Sequence, residues 1–234
     1  MPQPFTTKVK FGTQYHITSG LENRPDLAIA FWEAMEEFAV CEGCLWSLYL
    51  ILNINNIEKS YEELSKNVNF SKRIFMIKNS IQLYGKEDRA LILAVTDRAE
   101  TASNMRNKIA HCFWGYSPTF PNLVIQTPTS KTLKKTYDKI RKLLDNSVKF
   151  ESNETDLMVY NIRDFQDIKN AATNAIVPLE LLKNYMMADE LERDNLKTVI
   201  LSNPQTQTRY EKRISENYNS KNWFRLFLKR IEKF

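Results

Sequence analysis

The chain has 234 residues and 27.5 kDa, with 43% apolar and 26% charged residues and a net charge of +5. This composition excludes wholesale disorder, and the basic balance admits a polyanionic partner without demanding one. The five glycines, at 12, 20, 43, 85 and 115, lie too far apart for a Rossmann or P-loop nucleotide site.

Glycine poverty favours a mostly helical fold over a turn-rich β fold. Residues 1–23 read as an irregular N-terminal arm, with Pro2 and Pro4 and no helical period. Pro25 and Asp26 open a long helix. Leu27, Phe31, Ala34, Phe38, Cys41, Leu45, Leu48 and Leu52 then recur at spacings of four and three, a bundle-type seam. Asn53, Asn55 and Asn56 end it. A second helical stretch follows in two pieces. Ile57, Tyr61, Leu64 and Val68 form the first stripe; Ser71 caps the next piece, striped by Ile74, Ile77, Ile81 and Tyr84, with Gly85 closing it.

Glu87 and Asp88 supply the acidic first turn of a third helix, expected to run to about Phe113. Its apolar stripe is Leu91, Val95, Ala99, Ala102, Met105 and Ile109. Residues 116–160 read as an insert. It holds a loop with a short strand at Leu123-Val124-Ile125, a helix over 131–146 and a second strand at 157–160. A last seam helix spans 164–187, with Pro178 inside it, and residues 188–234 read as a basic C-terminal appendage.

Three cysteines and two histidines offer no structural zinc spacing, and an odd cysteine count favours a reducing compartment. No cofactor is expected. Cys41-x-x-Cys44 reads as small core residues, since Cys41 lies on the seam. Trp32, Trp46 and Phe38 read as core or dimer seam, and His16 as incidental. The N-terminus has no apolar core of signal type, and the longest apolar run, Leu45–Leu52, is too short to span a bilayer. A cytoplasmic protein without a membrane partner is expected.

The distinctive stretch is Arg106-Asn107-Lys108-Ile109-Ala110-His111. On a helix at 100° per residue, with Arg106 at 0°, Asn107 falls near 100° and His111 near 140°. Glu100 and Asn104 extend this into a polar stripe, and Arg106 sits at its apolar border. A cation, an amide and a histidine together suit a phosphate: arginine binds its oxygens in a fork, and histidine moves protons near neutral pH. The competing structural reading is a surface ion pair with His111 bonded to a carbonyl.

RNKIAH resembles the Arg-Asn-x-x-x-His signature of HEPN domains (higher eukaryotes and prokaryotes nucleotide-binding), carried there late in a long bundle helix. The resemblance covers about residues 24–187. It implies an all-α HEPN-like bundle with a small β-containing insert. It further implies a metal-independent endoribonuclease of toxin–antitoxin, abortive-infection or antiviral systems, usually a dimer with facing motifs. Arg106, Asn107 and His111 would be the catalytic set. Many members have glycine after the histidine; this chain has Cys112. The alternative is a non-catalytic HEPN module that binds a nucleotide or a partner protein.

Two basic runs bear on RNA as substrate. Residues 131–149 hold seven basic and two acidic side chains, and residues 197–234 hold nine and three. Both read as solvated faces or as flanks that attract RNA backbone, with Lys108, Lys134 and Lys135 as candidate contacts. Trp223, Phe224, Phe227 and Ile231 in the second run read as packing on the bundle or a partner.

Overall fold

The computed structural model describes residues 2–4, 20–67, 70–128 and 158–216. It is mostly helical with a small antiparallel sheet. Strand β1 (Gln3–Pro4) precedes helices α1 (Pro25–Leu52), α2 (Ile57–Lys66), α3 (Phe70–Ser80) and α4 (Lys86–Ala110). Strands β2 (Cys112–Gly115), β3 (Val124–Pro128) and β4 (Met158–Tyr160) follow, then helices α5 (Ile162–Met187) and α6 (Glu190–Leu201). A last helical run, α7, covers 204–216. The helix expected over 131–146, the arm around His16 and the basic piece from 222 to 234 lie outside the described residues.

Two compact units share the chain: residues 1–38 with 104–170, and residues 39–103 with 171–234. The first unit is built on an aromatic cluster. Phe31 of α1, Trp114 of β2 and Phe165 of α5 meet edge to face, with centroids 5.4–6.0 Å apart, and Tyr160 of β4 stacks on Phe165 at 5.6 Å. Each such pair contributes about 0.5–1.5 kcal/mol beyond area burial. Leu27, Ala34, Ile109 and Val124 complete this core. The sheet order is β1-β4-β3-β2, antiparallel throughout, with Trp114 opposite Gln126 and Gln126 opposite Met158. Gly20 donates its N–H to the Trp114 carbonyl at 2.8 Å, and a Cβ there would lie 2.2 Å from the Gly115 oxygen. Only glycine allows that approach.

Strands β3 and β4 fall at the two expected strand positions, β3 running on to Pro128. Strand β2 does not: the third helix was expected to continue to Phe113, but α4 ends at Ala110 and Cys112 starts a strand. Pairing with β3, a non-local partner, overrides the local apolar pattern.

The second unit packs the later half of the α1 seam (Cys41, Leu45, Leu48, Leu52) with Ile74 and Ile77 of α3, Leu91, Val95 and Ala99 of α4, and Leu179 and Leu182 of α5. The first stripe expected in this region is only partly buried. Leu64 is buried, with Ser60 beside it, while Ile57 and Tyr61 are 48% and 65% exposed and Val68 lies outside the described residues. Gly85 starts α4 rather than closing α3, its carbonyl accepting from Arg89 N–H at 3.0 Å. Pro178 lies within α5 without ending it. Of the three aromatics assigned to core or dimer seam, Phe38 is buried, while Trp32 is 69% exposed. Trp46 is partly covered by the Arg73 guanidinium, 4.1 Å from its ring centroid.

Residues 190–216, part of the segment read as an appendage, pack into the second unit. Asp189 caps α6, accepting from Glu192 N–H at 3.0 Å, and Ile200 is buried. From α7, Thr206 accepts from buried Arg98 at 2.7 Å, and Arg213 donates twice to one Asp97 oxygen, at 3.2 and 2.7 Å. No single helix among the described residues is long and apolar enough to cross a membrane.

The cysteines are placed for packing. Cys41 and Cys44 are buried, and the Cys44 thiol donates to Glu180 at 2.9 Å. Burial, then the adjacent Glu180 carboxylate, pushes Cys44 up to about 11. Burial pushes Cys112 up to about 11 as well. At pH 8 such thiols are about one part in a thousand thiolate. A disulfide reagent at pH 8 is therefore expected to titrate no thiol rapidly in the folded protein and all three in denaturant. A fast-reacting thiol in the native state would contradict this placement.

Candidate active site

The last turns of α4 carry the motif. Ile109 is buried in the first unit's core, which fixes the helix face and turns Asn104, Asn107 and Lys108 outward. Arg106 sits at the border, as the wheel predicts. Its guanidinium carbon lies 5.5 Å from the Phe38 ring centroid, and its Nη1 donates to the Asn107 side-chain oxygen at 3.3 Å. Its Nε is buried and has no hydrogen-bond partner among the described residues. One edge of the guanidinium is thus held on apolar surface while the other meets Asn107 at the exposed end of the helix.

His111 is exposed and is the first residue past α4, not a helical residue as expected. The turn that presents it is tied down from below. A helix end leaves its last carbonyls without intrahelical donors. Here the Gln126 side-chain amide of β3 donates to the Lys108 carbonyl, and the Cys112 thiol donates to the Ile109 carbonyl at 3.0 Å. The same Gln126 amide lies 3.6 Å from the Cys112 sulfur. Gln126 is only 4% exposed. Beneath it Tyr160 is pushed up to about 12, first by burial, then by Cys112 and Asp164, with Gln126 pulling the other way. Cys112, standing where the resembled signature often has glycine, therefore closes the helix by its side chain.

Arg106 and Asn107 are brought together, and His111 follows them at the same exposed helix end. Glu100 is drawn off: it pairs with Lys78 of α3 at 3.0 Å, within the second unit. Asn104 and Lys108 are exposed on α4, and Lys134 and Lys135 lie outside the described residues. The described cations of the C-terminal basic run are engaged. Lys197 pairs with Glu87, Arg209 donates to Thr101, Lys212 pairs with Glu216 and Arg213 with Asp97. Among the described residues no three His, Cys, Asp or Glu side chains converge as a metal site. Gln126 escaped the sequence analysis. Its one signal is a polar residue directly after Val124 and Ile125, in a strand whose first three residues are all buried.

Comparison of this chain with protein-family models, with curated proteins and with solved structures finds no match.

Proposed function

We propose that this chain is a HEPN-type, metal-independent endoribonuclease acting as a cytoplasmic toxin or antiviral effector. The observation that carries the reading is the exposed end of α4, where the Arg106–Asn107 pair stands about one helical turn before exposed His111. The all-helical bundle with a small sheet is the setting in which the resembled signature occurs. In this reaction the ribose 2′-oxygen forms a bond to the adjacent phosphorus as the bond to the 5′-oxygen breaks. The 2′-hydroxyl proton passes to one His111 imidazole, and the leaving oxygen takes a proton from another. Products carry 2′,3′-cyclic phosphate and 5′-hydroxyl ends. Arg106 opposes the charge that builds on the phosphoryl oxygens, and Asn107 fixes the guanidinium. A second chain supplies the second His111, which makes a symmetric dimer the working form. A partner protein such as an antitoxin would then act by covering this helix end. Phe113, half exposed on β2 two residues beyond His111, offers a ring on which an unpaired base stacks.

The test is end-labelled single-stranded RNA incubated with the purified chain in EDTA, with light scattering on the same sample. Cleavage that persists in EDTA, from a particle of about twice 27.5 kDa, supports the reading. Strict dependence on added Mg²⁺ overturns the mechanism, and RNA binding without cleavage leaves the non-catalytic module in its place.

A further inference from the structure

We infer that Gln126 is the positioning residue for His111; as a statement about catalysis this rests on the ribonuclease reading above. Helix α4 ends one residue before His111, so the imidazole stands at the junction of helix and strand. Residues 109–111, the last two of α4 and His111, form a short bridge into β2. Its helix side is held at the Lys108 carbonyl, which accepts from Gln126. Its strand side is held at Cys112, whose sulfur lies 3.6 Å from the same amide. The Cys112 thiol closes the bridge on itself through the Ile109 carbonyl. One buried side chain therefore touches both ends of the segment that carries the imidazole.

Gln126 is itself fixed. It sits in the middle strand pair, opposite Trp114 on one side and Met158 on the other. Its neighbours Val124 and Ile125 are fully buried. A buried amide so held has no freedom to follow the bridge, so the bridge must follow it. Without the amide donor the Lys108 carbonyl, one of the last of α4, loses its side-chain partner, and the local remedy is for the helix end to shift toward water. A displacement of about 1 Å at a catalytic group costs up to about 10²-fold in rate. Arg106 and Asn107 lie within the helix before the bridge and keep their places, so phosphate binding is spared.

The experiment uses the full chain with Gln126→Met, near in size but without a donor, and Gln126→Glu, similar in shape and without a donor when ionised. Cleavage of single-stranded RNA is measured well below the melting temperature, with the active fraction counted by binding of a non-cleavable 2′-deoxy oligonucleotide. Both variants should lower kcat about 10- to 100-fold with KM within twofold of wild type. In the ¹³C–¹H spectrum the His111 imidazole resonance should move or broaden in both, with the other histidine, His16, as internal reference. A merely structural role would lower the melting temperature and leave the His111 resonance of the folded protein where it was. Wild-type kcat in Gln126→Met, or an unmoved His111 resonance in both variants, overturns the inference. If the wild-type chain cleaves no RNA, the ribonuclease reading falls, and the imidazole resonance still decides whether Gln126 sets the position of His111.

Discussion

Replacing His111 with alanine is expected to slow RNA cleavage about 10²- to 10⁴-fold, the range for loss of a general acid–base group. The helical circular-dichroism signal should stay at the wild-type level, because the side chain is exposed and lies outside α4. Arg106→Ala should lose a further distinct quantity. Its guanidinium is the group placed to oppose phosphoryl charge, and removing such a donor costs about 10²–10³-fold. It also covers the Phe38 ring, so this variant should melt lower than His111→Ala. Arg106→Lys keeps the charge but not the planar fork held by Asn107, and should recover little of the activity. If His111→Ala and Arg106→Ala both cut RNA at the wild-type rate, the helix end is not the active site.

Truncation after Leu201 is expected to destabilise the second unit rather than release an appendage. It removes the two Arg213–Asp97 hydrogen bonds and the Thr206 acceptor of Arg98. It also removes the Tyr210 ring, which packs against the core cluster that holds Ile200. Hydrogen bonds to charged groups contribute about 1.5–3 kcal/mol each, so the loss should exceed about 2 kcal/mol. In a chain of this length that lowers the thermal midpoint by at least about 4–8 °C. Thr206→Val isolates one part. It keeps the methyl packing and leaves the Arg98 guanidinium, only 4% exposed as a residue, without that oxygen. Its melting temperature should fall between wild type and the truncation. A truncated chain that melts as the full one does would show that α7 adds nothing to the fold.

How far the sequence could be read depended on whether local pattern or distant pairing set each element. Helix α1 was legible to the residue, because Pro25 opens it, the asparagine run closes it and one seam serves both units' cores. The β2 strand was not. Cys112-Phe113-Trp114 continues a helical run in apolar character, and only its register against β3 makes it a strand. Segment 190–216 was misread for another reason. Its contacts with α4 are polar, Thr206 on Arg98 and Arg213 on Asp97, and hydrophobic periodicity is blind to them. In the candidate site, Arg106, Asn107 and His111 are singled out by their helical spacing and by the signature they resemble. Gln126 could not be, since its role depends on a strand pairing that brings it beneath a helix end fifteen or more residues earlier.

The central claim is that the 2′-hydroxyl of RNA is the nucleophile at this helix end. The most direct measurement compares one oligoribonucleotide with a copy that carries a single 2′-deoxy nucleotide at the cleaved position. Both are incubated with the wild-type chain in EDTA, and the product ends are read by mass spectrometry. The expected result is a 2′,3′-cyclic phosphate and a 5′-hydroxyl from the first and no cleavage at that position in the second. Cleavage of the 2′-deoxy copy at the same bond, or 3′-hydroxyl ends from either strand, would contradict the account.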